Sequence, residues 1–360
     1  MQHSAYAESN RFSILFALNS TDPFRPTIAL AMGDPAGISA ELTAKVVALP
    51  EVRVAANVVV IGDARVFRAG AADAKLEPDV EWRDGFDDLA VHARPLFVDL
   101  HHLDPAQIST GQATRAGGTF ALANFRAALE LAAARRVDAV CFTPFNKAAM
   151  RHAHPGYDDE IGYSAEVLGT DGPASEFNIL DELWNARVTS HIPLSAVASS
   201  LTREAIADAI RLTERSLQDA DIAKPRLAVA GLNPHAGDGG NFGREEIDVI
   251  APAIADARRD GIDAEGPFPA DTVFVRARNG AFDAVVTMYH DQGQIAMKLM
   301  GFDRGVTLMG GFPFPICTPA HGTAYDIARK GIANVGATRA ALLLAARMAR
   351  ARRSRRSAAA

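Results

Sequence analysis

The chain has 360 residues, 48% of them hydrophobic and 22% charged, a composition that supports a sizeable core and excludes global disorder. Thirty-seven Lys and Arg against 43 Asp and Glu leave a net charge of −6, so no overall field draws the protein to nucleic acid or an anionic membrane, and neither is expected as a partner. Cys141 and Cys317 belong to no CxxC or CxxH pattern, which excludes a disulfide framework and a cysteine-based zinc site and points to the cytoplasm.

At roughly 100 to 200 residues per domain the length fits two domains. No apolar run approaches the roughly 18 residues that a membrane-spanning helix needs. Residues 1–25 read as a loose N-terminal extension, because the apolar run 12–18 is short and leads into Asn19-Ser20-Thr21-Asp22-Pro23 without a small-residue cleavage site. From residue 26 onward, short β-branched runs alternate with longer amphipathic ones, the pattern of an α/β protein with a mostly parallel sheet flanked by helices. The pattern predicts strands over 27–32, 57–61, 96–99, 138–143, 187–190, 227–232, 284–288 and 305–309, and helices over 39–48, 118–135, 202–219, 244–260 and 338–350. Residues 151–176, with His154-Pro155-Gly156 and Gly172-Pro173, read as turn-rich and suit a crossing between domains. The arginines 347, 350, 352, 353, 355 and 356 read as a solvated helix end that fades into disorder.

Three histidines each follow a strand-like run: His191, His235 and His290. In open α/β sheets ligands bind beyond the carboxyl ends of strands, so three imidazoles there suit zinc or a related divalent ion, although their separations match no local zinc motif. His235 opens a glycine-dense loop, Ala236-Gly237-Asp238-Gly239-Gly240, that lets backbone approach a ligand. His290 is followed by Asp291-Gln292-Gly293, with Lys298 about two helical turns on. A histidine, an acid and a lysine at one strand end suggest metal binding with proton transfer, and a solvated helix start capped by Asp291 is the bland alternative. No strand is followed by G-x-G-x-x-G, because Phe242 stands where the last glycine would be needed, and no Walker pattern occurs.

The segments Gly33-Asp34-Pro35-Ala36-Gly37-Ile38, Thr143-Pro144-Phe145-Asn146-Lys147, Ser190-His191-Ile192-Pro193-Leu194, Leu232-Asn233-Pro234-His235-Ala236-Gly237, Gly266-Pro267-Phe268-Pro269-Ala270-Asp271-Thr272, Met288-Tyr289-His290-Asp291-Gln292-Gly293 and His321-Gly322-Thr323-Ala324 occur in this order. The chain, over residues 26 to about 350, thereby resembles the 4-phosphohydroxy-L-threonine dehydrogenase family of pyridoxal phosphate biosynthesis. The resemblance implies a two-domain α/β fold like that of isocitrate and isopropylmalate dehydrogenases, with 26–160 plus about 327–350 in the first domain, 161–326 in the second and 351–360 as a basic tail. It implies a homodimer with a shared active site, NAD or NADP bound without the Rossmann fingerprint, and a divalent metal, zinc before magnesium or cobalt, on His191, His235 and His290. The reaction so implied oxidises a hydroxy acid and then releases carbon dioxide, with Lys298 touching substrate and Asp271 and Asp291 as acid/base or orienting groups; which nucleotide-binding residues take part stays open.

The chain also departs from that family. Where the family reads Gly-His-Thr-Glu, this chain reads Gly162-Tyr163-Ser164-Ala165, and two further substrate contacts, Asn and Arg, fall on Thr307 and Ile316. The machinery for oxidation is retained while the substrate end is rebuilt with Tyr163, Ser164, Thr307 and Ile316. In having Gly-Tyr at that point the chain is similar to terephthalate cis-dihydrodiol dehydrogenase, which acts on a carboxylated ring diol. A phosphorylated hydroxythreonine, a carboxylated dihydrodiol and a non-catalytic small-acid-binding role remain as alternatives.

Overall fold

The computed structural model describes residues 24–89 and 92–359. The extension expected over 1–25 lies, apart from its last two residues, outside them. The strands are β1 (Thr27–Ala31), β2 (Asn57–Gly62), β3 (Glu81–Arg83), β4 (Leu96–Asp99), β5 (Ala139–Phe142), β6 (Ser175–Leu180), β7 (Leu183–Arg187), β8 (Leu227–Ala230), β9 (Ala264–Phe268), β10 (Ala284–Thr287), β11 (Val306–Gly310) and β12 (Ile316–Pro319). The helices are α1 (Ser39–Ala48), α2 (Pro50–Ala55), α3 (Ala64–Asp73), α4 (Arg115–Ala133), α5 (Lys147–Ala153), α6 (Glu160–Leu168), α7 (Val197–Ser200), α8 (Arg203–Asp219), α9 (Ala251–Arg259), α10 (Ala270–Arg278), α11 (His290–Gly301) and α12 (Gly336–Ala359).

The strands form one sheet in the order β3-β4-β2-β1-β5-β12-β11-β6-β7-β10-β8-β9. Each wing is parallel, but β11 runs antiparallel to β12 and β6, and β6 antiparallel to β7, so the wings point in opposite senses. In the first wing alternate residues enter two different cores: Ile28, Leu30, Val58, Val60 and Phe97 on one face, Ala29, Ala31, Val59, Ile61 and Val98 on the other. Helices cover both faces there, which is why these strands read as continuous apolar runs.

The centre of the sheet is built differently. Phe177, Ile179, Trp184, Ala186, Leu308 and Cys317 face the apolar layer. Their neighbours Glu176, Asn178, Asn185, Arg187, Thr307 and Thr318 alternate onto the opposite face, with Asn178 registered between Thr307 and Asn185. A polar strip therefore crosses the middle of the sheet.

Several expectations are corrected here. The strand expected over 187–190 is instead Leu183–Arg187, because the polar Asn185 and Arg187 hide its alternation. The turn-rich stretch 151–176 contains the end of α5 and all of α6. The helix expected over 244–260 begins as a π-turn, Glu246–Ile250, before α9. The basic tail continues α12 to Ala359. Its arginines are matched, Arg352 to Asp219 at 2.5 Å, Arg355 to Asp219 at 2.7 Å and Arg347 to Glu182 at 3.4 Å, and cations are favoured near a helix C-terminus.

Candidate active site

β7, β10 and β8 are adjacent parallel strands, and His191, His290 and His235 follow their carboxyl ends. His191 and His290 come together, with ring centroids 5.8 Å apart. His290 Nδ1 lies 2.7 Å from Asp291 Oδ1, and His191 Nδ1 lies 3.9 Å from Asp159 Oδ2. The carboxylate 2.7 Å behind His290 Nδ1 favours the tautomer that leaves Nε2 free to donate its lone pair to a metal. Two imidazoles side by side are donors of the kind a divalent ion takes. Gln292 secures the geometry: its Oε1 accepts Met288 N–H at 2.7 Å and its Nε2 donates to Gly231 O at 2.8 Å, tying the end of β10 to the end of β8.

His235 does not join this pair within one chain, since no cluster of three His, Cys, Asp or Glu suited to a metal forms among the described residues. It sits in a turn where five consecutive residues are left-handed: His235 (φ 53°), Ala236 (52°), Gly237 (80°), Asp238 (44°) and Gly239 (65°). That conformation is strained for residues with a Cβ and persists only when surroundings over-determine it. Glu246, 3% exposed, does so: Oε1 accepts Leu232 N–H at 2.8 Å and Asn233 N–H at 2.7 Å, and Oε2 accepts Asn233 Nδ2 at 2.9 Å. His235 is held outward and exposed beside Phe242, ring centroids 6.1 Å apart. Asp271 is exposed in the first turn of α10, a helix that packs on this turn.

Lys298 of α11 lines a small, largely apolar cleft together with Asn178, Leu180, Gln294, Met297 and Val306. Thr307 adjoins it, accepting from Asn178 Nδ2 at 3.3 Å. Tyr163 and Ile316 are in a different situation. Tyr163 is 5% exposed and Ile316 fully buried, both in one apolar cluster with Phe125, Phe142 and Met309. The Ser164 hydroxyl is spent on Glu160 O at 2.7 Å. Tyr163, Ser164 and Ile316, expected to touch substrate, are thus packed inward in this chain. Tyr163→His is accordingly a core change: burying a polar ring without partners costs about 1 to 3 kcal/mol, and a urea denaturation midpoint unchanged from the parent protein would contradict the packing described.

A second crevice gathers the remaining motifs. Gly33 N–H donates to Thr143 Oγ1 at 2.9 Å, Asp34 N–H to Pro144 O at 3.0 Å, and Ile38 N–H to Thr323 O at 3.1 Å. The loops after β1, β5 and β12 thus interlock. The chain leaves β1 toward β2 and returns on its other side at β5, which makes this the topological switch point where α/β sheets bind ligands. Burial raises the Asp34 carboxyl above its ordinary range, against hydrogen bonds from Tyr325 Oη and Ala36 N–H that pull it down. Burial likewise holds His321 toward its neutral form. Glu41, buried in the first turn of α1 and paired with Lys45 at 2.6 Å, opposes a pyrophosphate at that helix end, in keeping with the missing glycine fingerprint.

The N-terminus of α6 bridges the two regions. Glu160 lies 3.9 Å from Lys147, at the end of the loop after β5, and its neighbour Asp159 faces His191. Burial raises the Glu160 carboxyl, with Lys147 acting against it. Sequence reasoning missed Asp159 and Glu160, although Asp159 as a helix cap, accepting Gly162 N–H at 2.8 Å, is a recognisable signal.

Comparison with known proteins gives consistent matches across the chain. The family described as pyridoxal phosphate biosynthetic protein PdxA matches residues 54–345. A relative from Rhizobium meliloti (strain 1021), provisionally named 4-hydroxythreonine-4-phosphate dehydrogenase 2, is 62% identical over 338 residues, covering 93% of this chain and 97% of the relative. The crystal structure of a 4-hydroxythreonine-4-phosphate dehydrogenase from Klebsiella pneumoniae superposes with a TM-score of 0.79 at 35% identity, covering 90% of this chain and 99% of that one. A terephthalate 1,2-cis-dihydrodiol dehydrogenase from Burkholderia xenovorans LB400 gives a TM-score of 0.63 at 30% identity, covering 90% and 98%.

Proposed function

We propose, from the premise that the chain belongs to the pyridoxal phosphate biosynthetic protein PdxA family, that it is a divalent-metal-dependent NAD(P) dehydrogenase that oxidises a hydroxy acid and then decarboxylates the product. The observation that carries this reading is the His191–His290 pair, each ring backed by a carboxylate at the end of its strand. His191 and His290 hold the ion from one chain, and His235 of a second copy completes the set. Zinc suits an imidazole donor set best, and when bound a divalent ion supplies Lewis-acid polarisation of the substrate oxygens. NAD or NADP accepts the hydride and lies at the β1/β5 crevice, where Gly33–Ile38, Thr143 and the His321–Thr323 loop meet. Asp291 and Asp159 orient the imidazoles, Lys298 binds the substrate's acid group, and Asp271, travelling with His235, takes the hydroxyl proton.

A homodimer is supported by what surrounds the histidines. Leu194 is 71% and Leu299 83% exposed, and Ile192, Phe242, Ile247 and Ile295 are exposed on the same group of elements; apolar side chains clustered around an incomplete site mark an interface. The described part of the chain has no helix long and apolar enough to cross a membrane. Both cysteines are free and buried, which agrees with a cytoplasmic enzyme. We further propose two domains, 26–160 with about 327–350 and then 161–326.

A second reading concerns the substrate. Tyr163 and Ile316 stand where the resemblance places a His and an Arg, so two groups that would meet a phosphate are missing, which favours a carboxylated cis-dihydrodiol or another non-phosphorylated acid. The test is a panel of 4-hydroxythreonine-4-phosphate, a carboxylated cis-dihydrodiol and sugar acids, read by nicotinamide reduction with each cofactor. Reduction with at least one hydroxy acid, abolished by chelator, is expected. A panel that yields product without cofactor reduction would replace the dehydrogenase by a metal hydrolase.

A further inference from the structure

Arg187, at the end of β7, is only 4% exposed and brings a charge into the polar strip of the sheet. Its Nη2 lies 2.5 Å from Glu176 Oε2, and Nη1 donates to Asn178 Oδ1 at 3.1 Å. Its Nε is buried without a hydrogen-bond partner among the described residues. Asn178 also donates to Thr307 and lines the cleft that holds Lys298, so this guanidinium sits one side chain behind the cleft wall. A buried cation is tolerated only when it is matched. Arg304, beside the cleft-lining Gly301, is matched too, by Asp181 at 3.4 Å. Lys298 makes no salt bridge among the described residues.

One unmatched cation suits one negative charge. A carboxylate carries one, whereas a phosphate monoester carries nearly two at neutral pH. We propose that Glu176 sets the charge of the acid group the cleft accepts: by cancelling Arg187 it leaves Lys298 as the one cation of the cleft lining without a salt bridge among the described residues, and selects a carboxylate over a phosphate at the substrate end that is not lost as carbon dioxide. Arg187 is then a held-back cation, and removing its partner hands its charge to the cleft. The inference rests on the dehydrogenase reading only for which end of the substrate is meant, and binding tests it without turnover.

The experiment titrates the full-length, metal-loaded protein calorimetrically with terephthalate and with 4-hydroxythreonine-4-phosphate. The parent protein is expected to prefer terephthalate. Glu176→Gln, which keeps the shape and removes the charge, is expected to move the ratio of dissociation constants about tenfold toward the phosphorylated compound. The double variant Glu176→Leu/Arg187→Leu, with no change in net charge, is expected to keep the parent ratio. An unchanged ratio in Glu176→Gln, or an equal shift in the double variant, overturns the proposal. If Glu176→Gln melts before titration, Arg187→Met supplies the opposite sign, since Glu176 is partly exposed and can stand alone: its ratio must move about tenfold toward terephthalate, and a static ratio overturns the proposal equally. Cofactor reduction by the parent protein tests the dehydrogenase reading separately.

Discussion

Replacing His191, His235 or His290 with alanine is expected to strip most of the bound divalent ion and to lower kcat/KM by well over about 100-fold, since even orienting groups behind a ligand are commonly worth about 10 to 100-fold. The three variants should be alike in severity although their surroundings differ. His290 is oriented by Asp291 at 2.7 Å, His191 has Asp159 at the longer 3.9 Å, and His235 depends on a strained turn held by Glu246. Asp291→Asn is therefore expected to fall between the parent and His290→Ala, by about tenfold. The measurement is metal content by elemental analysis after dialysis, with melting temperatures to exclude unfolding. Equal metal in the parent and all three variants would remove the metal assignment, and with it the polarising group on which the proposed chemistry depends.

How much of this was legible in the sequence follows from what each strand faces. β1, β2, β4, β5, β8 and β10 were readable because their side chains are buried on both faces, as the fully buried Asn57–Gly62 run shows. β6, β7 and β12 were not, because the polar strip alternates Glu176, Asn178, Asn185, Arg187 and Thr318 into them, and the eye takes such residues for loop. Asn178 of the strip that hid these strands also lines the cleft beside Lys298. The helix start at His290-Asp291-Gln292-Gly293 was readable as an alternative, but Asp291 lies inside the first turn of α11 rather than capping it. The histidines themselves were recognisable from their position after strand-like runs. Which two of them meet was not, because the left-handed course of residues 235–239 leaves no mark on hydrophobic periodicity. The burial of Tyr163 and Ile316 was equally invisible, since a residue type at an aligned position says what can touch a ligand and not whether packing has turned it inward.

Mixing two inactive variants distinguishes how the histidines are shared between subunits. His191→Ala with His290→Ala is the uninformative pairing, because those two residues lie together in one chain. In any mixed dimer of that pair both sites carry a lesion, so no activity should return. His235→Ala mixed with His290→Ala is the informative combination. One site then draws intact His191 and His290 from the first chain and intact His235 from the second, while the other site collects both lesions. Random exchange makes about half of all dimers mixed, as for any closed two-fold pair, so recovery should approach about a quarter of the parent activity. His235→Ala with His191→Ala should recover to the same extent. Recovery from the His191 and His290 pairing would mean that those two ligands come from different chains, whereas none from either His235 pairing, after exchange is demonstrated by tagged subunits, would mean that His235 serves the site of its own chain and that the turn at 235–239 must swing to reach it.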